Sequence, residues 1–232
     1  MQLTNGTVPA SLFLSYYFTA VPENPAPNVT CLDKSTLKVR GAAGNPGMEY
    51  EILARVQTFP AGMAFCNSTT VGNATVAVAA ADTAWITWVG GTEFDLDAGD
   101  AAHGFSYKGA DPHDTLISLL QNATAAPYFS LLSIHTSDYQ SGMGKFSLSL
   151  GQVPDLSRST DELLAVYQTG TGNPYLEWLL FNYGRYLLFS STRSILPANL
   201  QGKWGRDSIQ PWGAGEYHRQ DDFLKPSMNL SV

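Results

Sequence analysis

From Pro174 to Ser190 the sequence reads as a helix with almost no polar side. Pro174 suits the first helical turn, where its missing N–H costs nothing. Leu176, Leu179, Leu180, Tyr183, Leu187 and Leu188 cover more than half the circumference, and Trp178 and Phe181 fill much of the rest. A helix apolar nearly all round belongs inside a protein rather than on its surface. It therefore predicts a helical domain larger than residues 174–232 supply.

The rest of the chain narrows the class. Of its 232 residues, 44% are hydrophobic and 14% charged, which excludes intrinsic disorder. No apolar run reaches the roughly 18 residues of a membrane-spanning helix. The net charge of −7 argues against nucleic acid and anionic membrane as partners, because both require clustered positive charge.

Residues 1–100 read as antiparallel β. Leu37 and Val39 alternate with polar neighbours. Met48, Tyr50, Ile52, Ala54 and Val56 form one apolar face, with Glu49, Glu51, Leu53 and Arg55 on the other. Val76, Val78 and Ala80 repeat the pattern. Ala84–Val89 is apolar on both faces, as in a central strand. Residues 44–47 and Gly90-Gly91 read as turns. Helical spacing follows at 112–122 and 125–139, then period two at Phe146, Leu148 and Leu150. The expected fold is an N-terminal β-sandwich over 1–151 with helices inserted near 112–139, then a linker over 152–173 with a short helix at 160–167. Helical structure follows over 174–232.

Cys31 and Cys66 are too few for a zinc ribbon and can form one bridge in an oxidising compartment. Asn5, Asn28, Asn67, Asn73, Asn122 and Asn229 each open an Asn-x-Ser/Thr sequon, an excess that points to a secretory lineage. Ser11–Ala20 is the one stretch resembling a signal-peptide core. With no Lys or Arg before it and two tyrosines inside it, it reads as a buried strand, which leaves the export signal out of this chain.

Most acidic and histidine groupings have plain readings. Asp95, Asp97, Gly99 and Asp100 resemble the start of a calcium loop, lack its later ligands and read as a solvated turn. His135 and Asp138 are three apart on a helix and can pair there. Glu49 and Glu51 read as a solvent face. The loop Leu196–Trp204 differs. It is bounded by Pro197 and Gly202, and it carries Asn199, Gln201 and Trp204 ahead of Pro211-Trp212 and Tyr217-His218. Amides that orient hydroxyls, beside indoles that stack on a sugar face, are what a carbohydrate cleft needs.

Residues 180–188, Ser190-Ser191-Thr192-Arg193, 196–204, Pro211-Trp212 and Tyr217-His218 together resemble glycoside hydrolase family 95, which includes the 1,2-α-L-fucosidases. Weaker likeness extends over about 35–218. The resemblance implies a β-sandwich, a helical linker and an (α/α)6 barrel that bears the active site. It also implies inverting hydrolysis of terminal α-1,2-linked L-fucose on a fucosylated glycan, with a Glu as acid and an Asn pair activating water, and no cofactor or metal. On this likeness His218 contacts sugar, and Asn199, Gln201 and Trp204 line or support the cleft. The family's Tyr-His-x-Asn-x-Asn motif is kept as Tyr217 and His218. The sequence then departs, with Gln220 and Asp222 where the two Asn belong. Residues 219–232 match nothing in the family pattern, and the acid and Asp are expected beyond Val232. The chain is therefore expected to be a fragment with no catalytic residue of its own, inactive alone. Two alternatives stand: a non-enzymatic carbohydrate-binding sandwich, which needs Trp85 or Trp88 turned outward, and a gene-model product that does not persist in the cell.

Overall fold

The computed structural model describes residues 2–4, 12–16, 25–44, 47–68 and 73–193. The chain divides into two compact units, Met1–Leu131 and Leu132–Val232.

The first unit contains two antiparallel sheets. The larger has the order β1-β8-β5-β4-β3, built from β1 (Gln2–Thr4), β3 (Asn28–Asp33), β4 (Thr36–Gly44), β5 (Gly47–Phe59) and β8 (Thr83–Thr92). The smaller has the order β2-β7-β6, from β2 (Leu12–Leu14), β6 (Ala64–Ser68) and β7 (Ala74–Val78). Val29, Leu37, Val39, Val56 and Ala84 of the larger sheet share one core with Ala74, Val76 and Val78 of the smaller. These are the alternating apolar positions of the sequence, so hydrophobic burial sets which face of each strand turns inward. Cys31 on β3 and Cys66 on β6 are disulfide-bonded with Cα atoms 5.8 Å apart, joining one sheet to the other.

The outer face of the larger sheet is covered by helix α1 (His113–Ala125), and this overturns the reading of Glu49 and Glu51 as one solvent face. Leu53 packs with Leu116 and Leu120 in a second core, and Glu51 beside it is fully buried while Glu49 stays exposed. Four successive outward residues of β5, from Glu51 to Gln57, each hold a place along α1. Glu51 meets His113 in the first turn of the helix, and Leu53 meets Leu116 and Leu120. Arg55 and Gln57 reach Thr124 near the end of the helix, at 3.5 and 3.1 Å.

Gly90 and Gly91 are not a turn. They lie inside β8, paired with Ile52 and Glu51. A Cβ on Gly91 would stand 3.4–3.5 Å from Leu116 and Pro112, so the glycine lets the start of α1 approach the sheet. Ala84–Val89 does sit between two strand neighbours at its start, but Trp88 is 61% exposed and the strand is not covered on both faces. The expected strand at 11–20 is seen as β2 alone. Its Phe13 is 62% exposed, because Phe13 lies on the face away from the shared core, and Tyr17–Ala20 fall outside the described residues.

The helices begin and end close to the sequence expectation. Helix α2 (Tyr128–Met143), α3 (Thr160–Ala165) and α4 (Pro174–Ser191) follow α1 in chain order. Helix α3 starts with a reciprocal capping box between Ser159 and Glu162. The side chain of Asn173 caps α4 by accepting from the Leu176 N–H at 3.0 Å. Phe146–Leu150 is not a strand, since no partner strand is present for it among the described residues. Helix α4 is also less enclosed than its composition predicts. Leu176 is buried, while Leu180, Tyr183 and Leu188 are exposed.

Candidate functional site

Asn199, Gln201, Trp204 and His218, the residues expected to meet sugar, all lie outside the described residues. The structure does describe the helix that leads to them and the side chains that hold it.

In the second unit a cleft of about 160 Å³ opens between the end of α2, the Gly144–Leu148 segment and α4. Tyr139, Met143, Phe146, Trp178, Asn182 and Arg185 form most of its lining. Arg185 donates to Asn182 Oδ1 at 3.1 Å and to the Met143 carbonyl at 3.0 Å. Its guanidinium lies 5.0 Å from the centre of the Phe146 ring and 5.7 Å from that of Phe181, a cation–π geometry. Asn182 in turn donates to the Trp178 carbonyl at 2.9 Å. Asn182 and Arg185 are thus bonded to each other and to backbone carbonyls, and no carboxylate lines the cleft to act as acid or base. Arg185 thereby ties α4 to the last residue of α2.

Helix α2 meets α4 again at Gly142, where a Cβ would stand 2.3 Å from the Phe189 ring. One step further, Arg193 lies over Phe189 at 4.6 Å and pairs with Asp138 at 2.5 Å. Asp138 therefore engages Arg193 rather than His135, which is exposed. This pair pins the end of α4 just before the Leu196–Trp204 segment.

A second polar cluster, in the first unit, was not anticipated as a group. Arg40 donates to both oxygens of Asp111, at 3.1 and 2.6 Å, to Glu49 at 2.6 Å and to Glu51 at 3.3 Å. His113 Nδ1 lies 2.6 Å from the other Glu51 oxygen. The hydrogen bonds to Asp111 and Glu49 push the Arg40 pKa above its already high ordinary value. Asp111 is held below the usual carboxylate range by Arg40 and by the His113 N–H. Beside them, Glu93 is lowered by the Glu49 N–H and by Lys108. No substrate oxygen can reach Glu51, which has no exposed surface. The cluster fastens the start of α1 to the sheet. The signal was in the sequence as Arg40, Glu51 and His113, but 62 residues separate the last two, and only the strand pairing of Arg40 with Glu51 brings the set together.

Asp95 and Asp100 cap two short 3-10 turns, accepting from the Asp97 and His103 N–H groups at 2.9 and 3.0 Å. Among the described residues no three His, Cys, Asp or Glu side chains converge as a metal site would require. Of the sequon asparagines, Asn28, Asn67, Asn73 and Asn122 are exposed, and Asn5 lies outside the described residues. Trp85 is half-buried and donates its Nε1–H to Gln57 at 3.0 Å.

Comparison with known proteins places these elements in a family. Residues 127–220 match the glycosyl hydrolase family 95 catalytic domain, a stretch that takes in α2, α4, the Leu196–Trp204 segment and His218. The chain is 37% identical to "Probable alpha-fucosidase A" of Aspergillus niger over 208 residues, 84% of this chain and 24% of that protein. It is 35% identical to "Probable alpha-fucosidase A" of Aspergillus oryzae over 97% of this chain and 31% of that protein. It is 36% identical to "Alpha-L-fucosidase 2" of Arabidopsis thaliana over 44% of this chain and 13% of that protein. The chain thus spans less than a third of the length of each of these relatives. With its helices α2 and α4 inside the matched catalytic domain and near-complete coverage by fungal relatives, the chain belongs to glycosyl hydrolase family 95.

Proposed function

We propose that this chain is part of an α-L-fucosidase that hydrolyses terminal α-1,2-linked L-fucose with inversion. In this reading the two sheets are the N-terminal β-sandwich and α4 opens the catalytic helical barrel. The observation that carries the reading is the catalytic-domain match across 127–220. That match runs through the amide- and indole-bearing segment Asn199, Gln201 and Trp204 to His218. His218 contacts the sugar, and the other three line or support the cleft.

The chain alone is expected to be inactive. Hydrolysis needs a general acid and an activated water, each worth roughly 10²–10⁴-fold. Gln220 and Asp222 stand where the family motif has Asn, and the cleft around Arg185 is lined by no carboxylate. The test is fucose release from a 2′-fucosylated oligosaccharide. The 232-residue chain should release none. A longer chain carrying the Tyr-His-x-Asn-x-Asn continuation should release it, and should lose at least tenfold in kcat/KM on His218→Ala. Fucose release by the 232-residue chain, abolished by Asp222→Ala, would refute the inactive-fragment reading.

The exposed sequon asparagines support a secreted glycoprotein. The exposed Trp88 ring favours a second reading, a carbohydrate-binding module without hydrolysis. A glycan array decides it: binding by the 232-residue chain that is lost on Trp88→Ala supports the module, and no binding removes it.

A further inference from the structure

The smaller sheet has an outer face that neither core uses. Register places Phe13, Ala77 and Phe65 in one row across that face. Phe13 and Phe65 are 62% and 51% exposed, while Ala77 between them is only 6% exposed. Strand β6 lies at the edge of this sheet. Its Ala64 and Cys66 pack into the shared core, so Phe65 and Asn67 point outward together. Residues two apart on one strand face lie about 6.6 Å from each other. Thr75 and Ala77 stand opposite Asn67 and Phe65, so both neighbours across the ladder are small. Asn67 opens the sequon Asn67-Ser68-Thr69.

We propose that Asn67 carries an N-glycan whose first N-acetylglucosamine lies on the exposed face of the Phe65 ring. The inference rests on the secretory reading given above. In the covalent step the Asn67 amide nitrogen bonds to the sugar's anomeric carbon and loses a proton. The bond that breaks joins that carbon to a lipid-linked pyrophosphate, whose oxygen leaves with the electron pair. The pyranose then presents a flat array of C–H groups that fits an aromatic face. Its position two residues along β6 covers an apolar ring that water otherwise meets.

The test uses the 232-residue chain secreted from a yeast host. Peptide mapping after enzymatic deglycosylation in heavy-oxygen water reports occupancy at Asn28, Asn67, Asn73 and Asn122. Folding equilibria are then measured for the wild type, Phe65→Ala, Asn67→Gln and the double variant. Phe65→Ala should weaken folding about two- to tenfold more when the glycan is present than when it is absent, the range of an aromatic contact. Phe13→Ala, on the same face but beyond Ala77, should show no such coupling. The N-acetylglucosamine protons should show upfield ring-current shifts that vanish in Phe65→Leu. Occupied Asn67 with no coupling and no ring-current shift overturns the contact and leaves the secretory reading standing. An empty Asn67 beside other occupied sites overturns this inference alone, and four empty sites overturn the secretory reading with it.

Discussion

Glu51→Ala separates the effect of burial from that of charge pairing. The carboxylate has no exposed surface and meets His113 at 2.6 Å and Arg40 at 3.3 Å. Stripping one member from a buried ion pair costs about 3–5 kcal/mol, because it leaves the partner uncompensated. Two features reduce that figure here. Arg40 keeps Glu49 and Asp111, and His113 is about one-third exposed, so water can reach it. The expected loss is about 2–3 kcal/mol. Glu49→Ala removes a carboxylate from the same arginine at an exposed position, where about 0–1 kcal/mol is expected. Urea unfolding followed by tryptophan fluorescence measures both, with midpoints converted at a common slope. For a chain of this length the Glu51 variant should melt about 4–12 °C lower. Glu51→Gln, which keeps the shape and one acceptor, should recover part of the loss. Equal costs for Glu49→Ala and Glu51→Ala, within about 0.5 kcal/mol, would show that α1 does not depend on the buried carboxylate.

Gly142→Ala should destabilise the chain by about 1–3 kcal/mol in thermal melts through its clash with Phe189. The roughly 0.5–1 kcal/mol gained when alanine replaces glycine within a helix runs the other way, so a stabilised variant would refute the contact. Stability should also fall in acid. Burial raises the Asp33 carboxyl, but the Ser35 N–H, the Thr36 hydroxyl and Arg55 outweigh it, so its pKa is lowered, as are those of Asp111 and Glu93. Groups with lowered folded pKa values contribute stability that is complete above the unfolded value of about 4 and is lost as pH falls through the folded values. Urea midpoints that stay flat from pH 6 to 3 would contradict these pairings. Cys31→Ser with Cys66→Ser should cost about 2–4 kcal/mol in the same assay, from the chain entropy released when a loop spanning 35 residues opens. Leu180, Tyr183 and Leu188, exposed on α4, should give the 232-residue chain binding to a hydrophobic dye or self-association in sedimentation. A monomer that binds no dye would show that this face is covered.

The inner faces of the sheets were legible because strand period is two and their burial is one-sided. Val76, Val78, Val56 and Leu37 each sit where alternation places them. The helices were legible from their helical spacing, with Pro112 and Pro174 at the starts of two of them. Phe146–Leu150 misled because period two needs a partner strand, and its Phe146 ring instead meets Arg185 and Phe181. Gly90-Gly91 misled because a glycine pair signals a turn locally, whereas here Gly91 admits Pro112 and Leu116. The expected sugar-contacting residues were found from short-range motif likeness, and they lie outside the described residues.

The sequence by itself determined which residues turn inward on β4, β5 and β7, roughly where the helices begin, and membership in a family through the run from Leu180 to His218. These depend on periodicity, capping and local motif, all carried within a few dozen residues. The tertiary structure alone decided the fate of the outer face of β5. Glu49 and Glu51 are two residues apart on one face and chemically identical, yet one stays in water and the other is sealed. The difference is helix α1, which crosses that face at Glu51 and brings His113 to it. No local pattern in β5 encodes a helix 62 residues further along the chain, so only the packed structure distinguishes the two carboxylates.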